Sequence, residues 1–165
     1  MTEYIRKQVR KLVLSCKTRD PAAIAEKLGI NLWCRDLGGL KGFYLYERKS
    51  RYIVVNERLD SITAQVVIAH ELGHHMLHKE LSAGGIRENT MFLDGNKTER
   101  QANLFAAELL IADEKITELV SDGCTVKQLS AALCTLPEMI EYKLEMMNGK
   151  GFSFRQNSVR SDFLK

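Results

Sequence analysis

Three side chains near the middle of the chain, His70, Glu71 and His74, have types and spacing suited to metal-assisted hydrolysis. In a helix, residues four apart lie about 40° apart in azimuth and one turn apart in height. Two imidazoles so placed converge on one Zn²⁺ ion at about 2.0–2.1 Å. Glu71 falls on the adjoining face, where its carboxylate reaches a water on the metal without displacing it. Zinc lowers the pKa of such a water towards about 7. Glu71 would take its proton as the oxygen attacks a peptide carbonyl, then pass a proton to the leaving amine.

The surroundings of this segment sharpen the reading. The apolar run Val66-Val67-Ile68-Ala69 leads into it, as a buried helix requires, and all four histidines fall between His70 and His78. The bland alternative, an exposed histidine cluster, fits that apolar approach poorly.

A catalytic zinc site commonly has three protein ligands. On a straight helix His78 would stand about 12 Å along the axis from His70, so it is expected beside the site or towards substrate. His75, about 100° away from His74, is expected to be structural or exposed. A downstream carboxylate is the better third ligand, and Glu99 is the preferred one. In Glu99-Arg100-Gln101-Ala102-Asn103 the asparagine returns to the same helix face and could orient a ligand imidazole by hydrogen bonding. Ala102, Ala106 and Ala107 would let this helix approach the histidine helix closely. Glu108, over two turns further on, and Glu88 and Asp94 in the preceding segment are weaker candidates.

The elements that must hold these residues follow from periodicity and turn chemistry. Ile5, Val9, Leu12, Val13 and Cys16 recur at helical spacing. Asp20-Pro21 reads as an N-cap followed by a first-turn proline, with Gly29 just past the end of that short helix. Residues Asn31–Arg35, Gly42–Tyr46 and Tyr52–Val55 are short, β-branched or aromatic, and separated by turns at Gly38-Gly39 and Glu47–Arg51. They predict a small, mostly antiparallel sheet. Ser61 is the expected N-cap of a helix running to about His78, and Thr98 that of a helix running to about Ile111. Between them, Leu81–Lys97 reads as a loop. Further helices are expected at Asp113–Val120, Thr125–Leu133 and Pro137–Met147. The fold class is α+β: N-terminal helices, a small sheet, the His-Glu helix and a helical C-terminal half. One domain is expected over residues 1–147, with a basic tail at 148–165.

Composition limits the rest. The chain of 165 residues suits one domain. Its first twenty residues are interrupted by basic side chains throughout, unlike a signal peptide, and its apolar runs are far too short to span a bilayer. A cytoplasmic location is expected. The four cysteines form no CxxC pair and are expected as reduced, mostly buried thiols. The net charge of +3 is uneven, with six basic and two acidic residues among the first twenty. Solvated helix faces account for this without a nucleic-acid or membrane partner.

Taken together, Leu40-Lys41-Gly42-Phe43-Tyr44, Tyr52-Ile53-Val54-Val55-Asn56, the segment AHELGHHMLH (69–78) and TERQANLFAAELL (98–110) resemble the ImmA/IrrE family of metallo-endopeptidases. The resemblance spans roughly Ala25 to Leu144 in the same order and implies a zincin-like fold. It further implies that His70, His74 and Glu99 bind zinc and that Glu71 is the catalytic base, in agreement with the spacing. Family members of this short type typically lie in prophages and integrative elements and cleave a helix-turn-helix repressor encoded nearby, which makes such a repressor the expected partner. In one departure, Ile111-Ala112-Asp113 stands where the family often has proline.

Two weaker signals remain. Thr125–Leu144 resembles a helix-turn-helix, but Thr125–Met147 carries only Lys127 and Lys143 against Glu138, Glu141 and Glu145, a poor match to phosphates. It reads as a packing element or a partner surface. The Phe43–Tyr46 strand is expected near the cleft, where an edge strand could receive an extended peptide; Tyr44, Tyr46 and His78 are open candidates for stabilising an oxyanion. The function expected is zinc-dependent cleavage of a repressor. The alternative is a binding protein that sequesters the repressor and keeps zinc for structure.

Overall fold

A computed structural model describes residues 1–78 and 95–148. Helices α1 (Thr2–Cys16) and α2 (Pro21–Lys27) lead into strands β1 (Ile30–Arg35), β2 (Gly42–Glu47) and β3 (Ser50–Asn56). Helices α3 (Ser61–Leu77), α4 (Gly95–Leu110), α5 (Asp113–Ser121), α6 (Val126–Ala132) and α7 (Pro137–Asn148) follow. This is the expected α+β, zincin-like architecture.

Local chemistry sets most of the boundaries. Asp20 caps α2 by accepting from the Ala22 amide at 3.0 Å, with Pro21 in the first turn. At the other end Gly29 takes φ +67°, which its missing Cβ permits. Thr125 and Gln128 form a reciprocal capping box at the start of α6. Two boundaries differ from expectation. Asp60, not Ser61, caps α3, its carboxylate accepting from both the amide and the hydroxyl of Thr63. Helix α4 begins at Gly95 rather than after Thr98. The first amides of a helix lack intrahelical partners in any case, so the Asp94-Gly95 turn signal and a helix start look alike in sequence.

The sheet order is β1-β3-β2. β2 and β3 form the expected antiparallel hairpin, closed by Arg48 and Lys49, both at positive φ as a two-residue hairpin turn requires. β1 pairs parallel to β3, so the sheet is mixed. The most apolar strand, Ile53-Val54-Val55, takes the central place, where both of its edges are paired. Asn56 at its end donates to the carbonyls of Gly38 (3.0 Å) and Leu40 (2.8 Å), fastening the β1–β2 connection.

Helix α3 is the axis of the core. Val66, Val67, Ala69 and every residue from His70 to His75 are buried. Against it lie the sheet on one side and α4 on the other, with Ala102, Ala106 and Ala107 fully enclosed as their small size predicts. Two glycines mark the tightest contacts. A Cβ on Gly42 would stand 2.5 Å from Val67 Cγ1 and 2.9 Å from the Val54 carbonyl. A Cβ on Gly73 would meet Ala102 Cα at 3.0 Å and Phe105 Cβ at 3.2 Å. The α3–α4 approach is therefore closest at the residues between which the candidate ligands lie.

Among the described residues no helix is long and apolar enough to cross a membrane. The four cysteines are all unpaired, but only Cys16 is buried and Cys34 and Cys134 are exposed, contrary to the expectation of mostly buried thiols. The Leu81–Lys97 loop lies largely outside the described residues, as do Glu88, Asp94 and the tail from 149 onwards.

Candidate metal centre

Helix α3 presents His70 and His74 one turn apart, and α4 brings Glu99 against them. The two Nε2 atoms are 3.0 Å apart. His70 Nε2 lies 3.2 Å from one Glu99 carboxylate oxygen, and His74 Nε2 lies 3.3 Å from the other. Both rings are buried, while the Glu99 side chain is 42% exposed, so the group opens to solvent on the carboxylate side. Among the described residues this is the group of histidine, cysteine and carboxylate side chains that could hold a metal ion.

The donor set fits a metal on two grounds. A tetrahedral ion with bonds of about 2.0–2.2 Å holds its ligand atoms roughly 3.3–3.6 Å apart, close to the separations found here. The protons provide the second ground. His70 Nδ1 lies 2.8 Å from Asn103 Oδ1, so Nδ1 carries a hydrogen and Nε2 is the nitrogen turned to the group. Burial would raise the pKa of Glu99, but hydrogen bonds and charge from His70 and His74 outweigh that and hold it well below the usual carboxylate value. Glu99 is thus an anion to which the two imidazoles lend protons in the metal-free chain, and a metal cation would take the place of those protons.

Asn103 also donates to the Tyr142 hydroxyl at 3.2 Å, tying the His70 support to α7. The sequence anticipated the role of Asn103 but not that of Tyr142. The expected separation of His78 from the ligand point is seen: His78 ends α3 and meets His74 on the far side, Nδ1 to Nδ1 at 3.2 Å. His75 is buried and shares a 3.0 Å hydrogen bond with the Tyr44 hydroxyl. Tyr44 is itself a core residue whose ionisation burial opposes, which makes it a structural partner of His75. Glu71 is buried directly beside His70 in sequence. Glu108, the weaker candidate on α4, is not part of the group: it pairs with Lys143 at 2.6 Å.

Among the described residues, a small mixed sheet, a buried histidine helix and a carboxylate from the next helix define an α+β scaffold carrying a candidate metal site. Comparison with known proteins makes the class specific. Residues 25–148 match the model of the Peptidase_M78 family, described as the IrrE N-terminal-like domain. The chain is 34% identical over 146 residues to "Uncharacterized immunity region protein 2" of Bacillus phage phi105, covering 84% of this chain and 92% of that one. It is 30% identical over 147 residues to "Metallopeptidase ImmA" of Bacillus subtilis (strain 168), covering 87% and 85%. The chain belongs to the ImmA/IrrE family of metallopeptidases.

Proposed function

We propose that this chain is a zinc-dependent endopeptidase, a single domain over residues 1–147, that cleaves a helix-turn-helix repressor of a prophage or integrative element in the cytoplasm. The observation that carries the reading is the convergence of His70 Nε2, His74 Nε2 and the Glu99 carboxylate on one point. The relatives support the setting, one named a metallopeptidase and the other an immunity region protein of a phage.

In this reading His70, His74 and Glu99 hold the zinc ion, which supplies Lewis acidity to the scissile carbonyl and to the attacking water. Glu71 accepts the proton of that water and returns it to the amine nitrogen as the peptide bond breaks. Asn103 keeps the His70 ring turned so that Nε2 faces the ion. Strand β2 packs on α3 through Gly42 and Tyr44, and among the described strands it lies at a sheet edge. An extended substrate segment would pair there, main chain to main chain.

Co-expression with the repressor encoded in the same element tests the proposal, comparing the natural chain with Glu71→Gln. Repressor fragments with the natural chain alone are expected. An intact repressor with both forms, together with lifted repression, would instead favour the sequestering alternative.

A further inference from the structure

Helix α7 meets the ligand-bearing end of α4 through polar contacts that the proposed chemistry does not use. Arg100 and Asn103 lie three apart on α4, and Tyr142 and Glu145 lie three apart on α7, so each pair shares one helix face. The two faces meet in antiparallel order. Arg100 pairs with Glu145, and the Asn103 amide nitrogen donates to the Tyr142 hydroxyl at 3.2 Å. Glu99 stands next to Arg100, so both rungs hold the part of α4 that brings Glu99 to the histidines.

The two rungs differ in weight. The Arg100 and Glu145 side chains are 52% and 37% exposed, and an ion pair so open to water contributes little. The other rung lies deeper. Asn103 is buried, and its amide is held at both ends, the oxygen by the His70 ring at 2.8 Å and the nitrogen by Tyr142. The last torsion of an asparagine is broad, so an amide held at one end alone can turn. Holding the second end narrows that freedom and spares a buried N–H the cost of having no partner. Tyr142 is well placed for this, since Met139, Ile140, Lys143 and Met146 around it on α7 are all buried and fix the helix that carries it.

We propose that Tyr142 is a positioning residue for the metal site: its hydroxyl holds the Asn103 amide against His70, and through Asn103 it sets the direction of the His70 ring. The consequence for the metal rests on the metal reading given above, whereas the Tyr142–Asn103–His70 contacts belong to the chain alone. Helix α7 thereby gains a role beyond packing, as the wall against which the ligand-bearing helix is set.

The test uses the whole chain freed of metal, as the natural protein, Tyr142→Phe, Asn103→Ala and the double variant. Zn²⁺ is titrated against a chromophoric chelator, unfolding in urea is followed without metal, and side-chain amide ¹⁵N signals are recorded. Asn103→Ala is expected to weaken zinc about 10–100-fold, the usual effect of losing a ligand's hydrogen-bond partner. Tyr142→Phe keeps the ring and removes only the hydroxyl, and should weaken zinc about 2–10-fold, the worth of one hydrogen bond. The double variant should bind no more weakly than Asn103→Ala, because Tyr142 then has nothing to act through. A merely structural role would not produce that non-additivity. Unchanged zinc affinity in Tyr142→Phe, whatever the shift in its urea midpoint, would overturn the proposal. So would a Tyr142→Phe loss that persists in full on the Asn103→Ala background. If the natural chain binds no zinc, the metal reading fails and the Asn103 amide signals decide alone: signals displaced by Tyr142→Phe uphold the positioning contact, and unchanged signals overturn it.

Discussion

Helix α4 carries two glutamates nine residues apart, which places them on opposite faces and roughly 13.5 Å apart along the axis. Each is met by groups from another helix, but the two clusters are built on opposite principles. Around Glu108, the buried Lys143 ammonium lies 2.6 Å from Glu108 and 2.6 Å from Asp113, while Arg6 pairs with both carboxylates. Two cations meet two anions, and every charge has a partner from the chain itself. Around Glu99, an anion faces the Nε2 atoms of two histidines whose Nδ1 atoms meet Asn103 and His78. The first cluster joins fixed cations to carboxylates. The second joins a carboxylate to two imidazoles, the kinds of group a zinc ion takes as ligands. Side-chain chemistry thus separates a structural ion-pair network from a candidate metal centre on the same helix.

The sharpest contrast should come from the residue that does chemistry without holding the fold. Glu71→Gln is expected to lower peptide-bond cleavage by about 10²–10⁴-fold, the span attributed to a general base, with zinc content unchanged. Rate assays and elemental analysis on the same preparation check both halves. At the other cluster, Lys143→Met should lower stability by about 3–5 kcal/mol, since removing one member of a buried charge group leaves its partners uncompensated. Urea denaturation measures this. Glu99→Gln in the metal-free protein should change stability by less than about 1 kcal/mol in the same assay, because its side chain is partly solvated. Equal losses for the two variants would remove the distinction.

The seam between the two helices gives an intermediate effect. Gly73→Ala pushes a methyl group against the Ala102 backbone and Phe105, and overpacking of this kind costs about 1–3 kcal/mol. Weaker zinc binding should accompany it, since His70, His74 and Glu99 are set by that seam.

The smallest effect is a pH dependence. Burial would raise the pKa of Asp113, but the hydrogen bond and charge of Lys143, aided by Arg6, hold it below its ordinary 3.8. A folded-state pKa below the unfolded one contributes stability that is present above the unfolded value and disappears as pH falls through the folded one. The melting-temperature gap between the natural chain and Asp113→Asn should therefore narrow on acidification below the ordinary carboxylate range. A gap that widens there would contradict the pairing.

Much of the candidate site's grouping was legible in the sequence because its signals are local. Four-residue spacing brings His70 and His74 together whatever else the chain does, and Glu99 and Asn103 repeat the same logic one helix later. Gly73 was a missed signal: a glycine inside an apolar helix segment is unfavourable unless something must approach closely. Lys143 was another, sitting in the apolar rhythm of Met139, Ile140, Leu144 and Met147, which is where a buried cation would show itself. That it is buried also removes one of the two cations of the helix-turn-helix-like segment from the surface. The parallel pairing of β1 with β3 and the Asn103–Tyr142 contact were not legible. Both depend on which elements become neighbours after the chain turns back, and no spacing rule carries that.

The central claim is that the Glu99 cluster is completed by a metal. Titrating the metal-free chain with Zn²⁺, beside Glu99→Ala, tests it most directly. One tightly bound equivalent in the natural chain, weakened by at least about tenfold in the variant, is the expected result. No zinc binding by the natural chain, or equal binding by both, would contradict the claim.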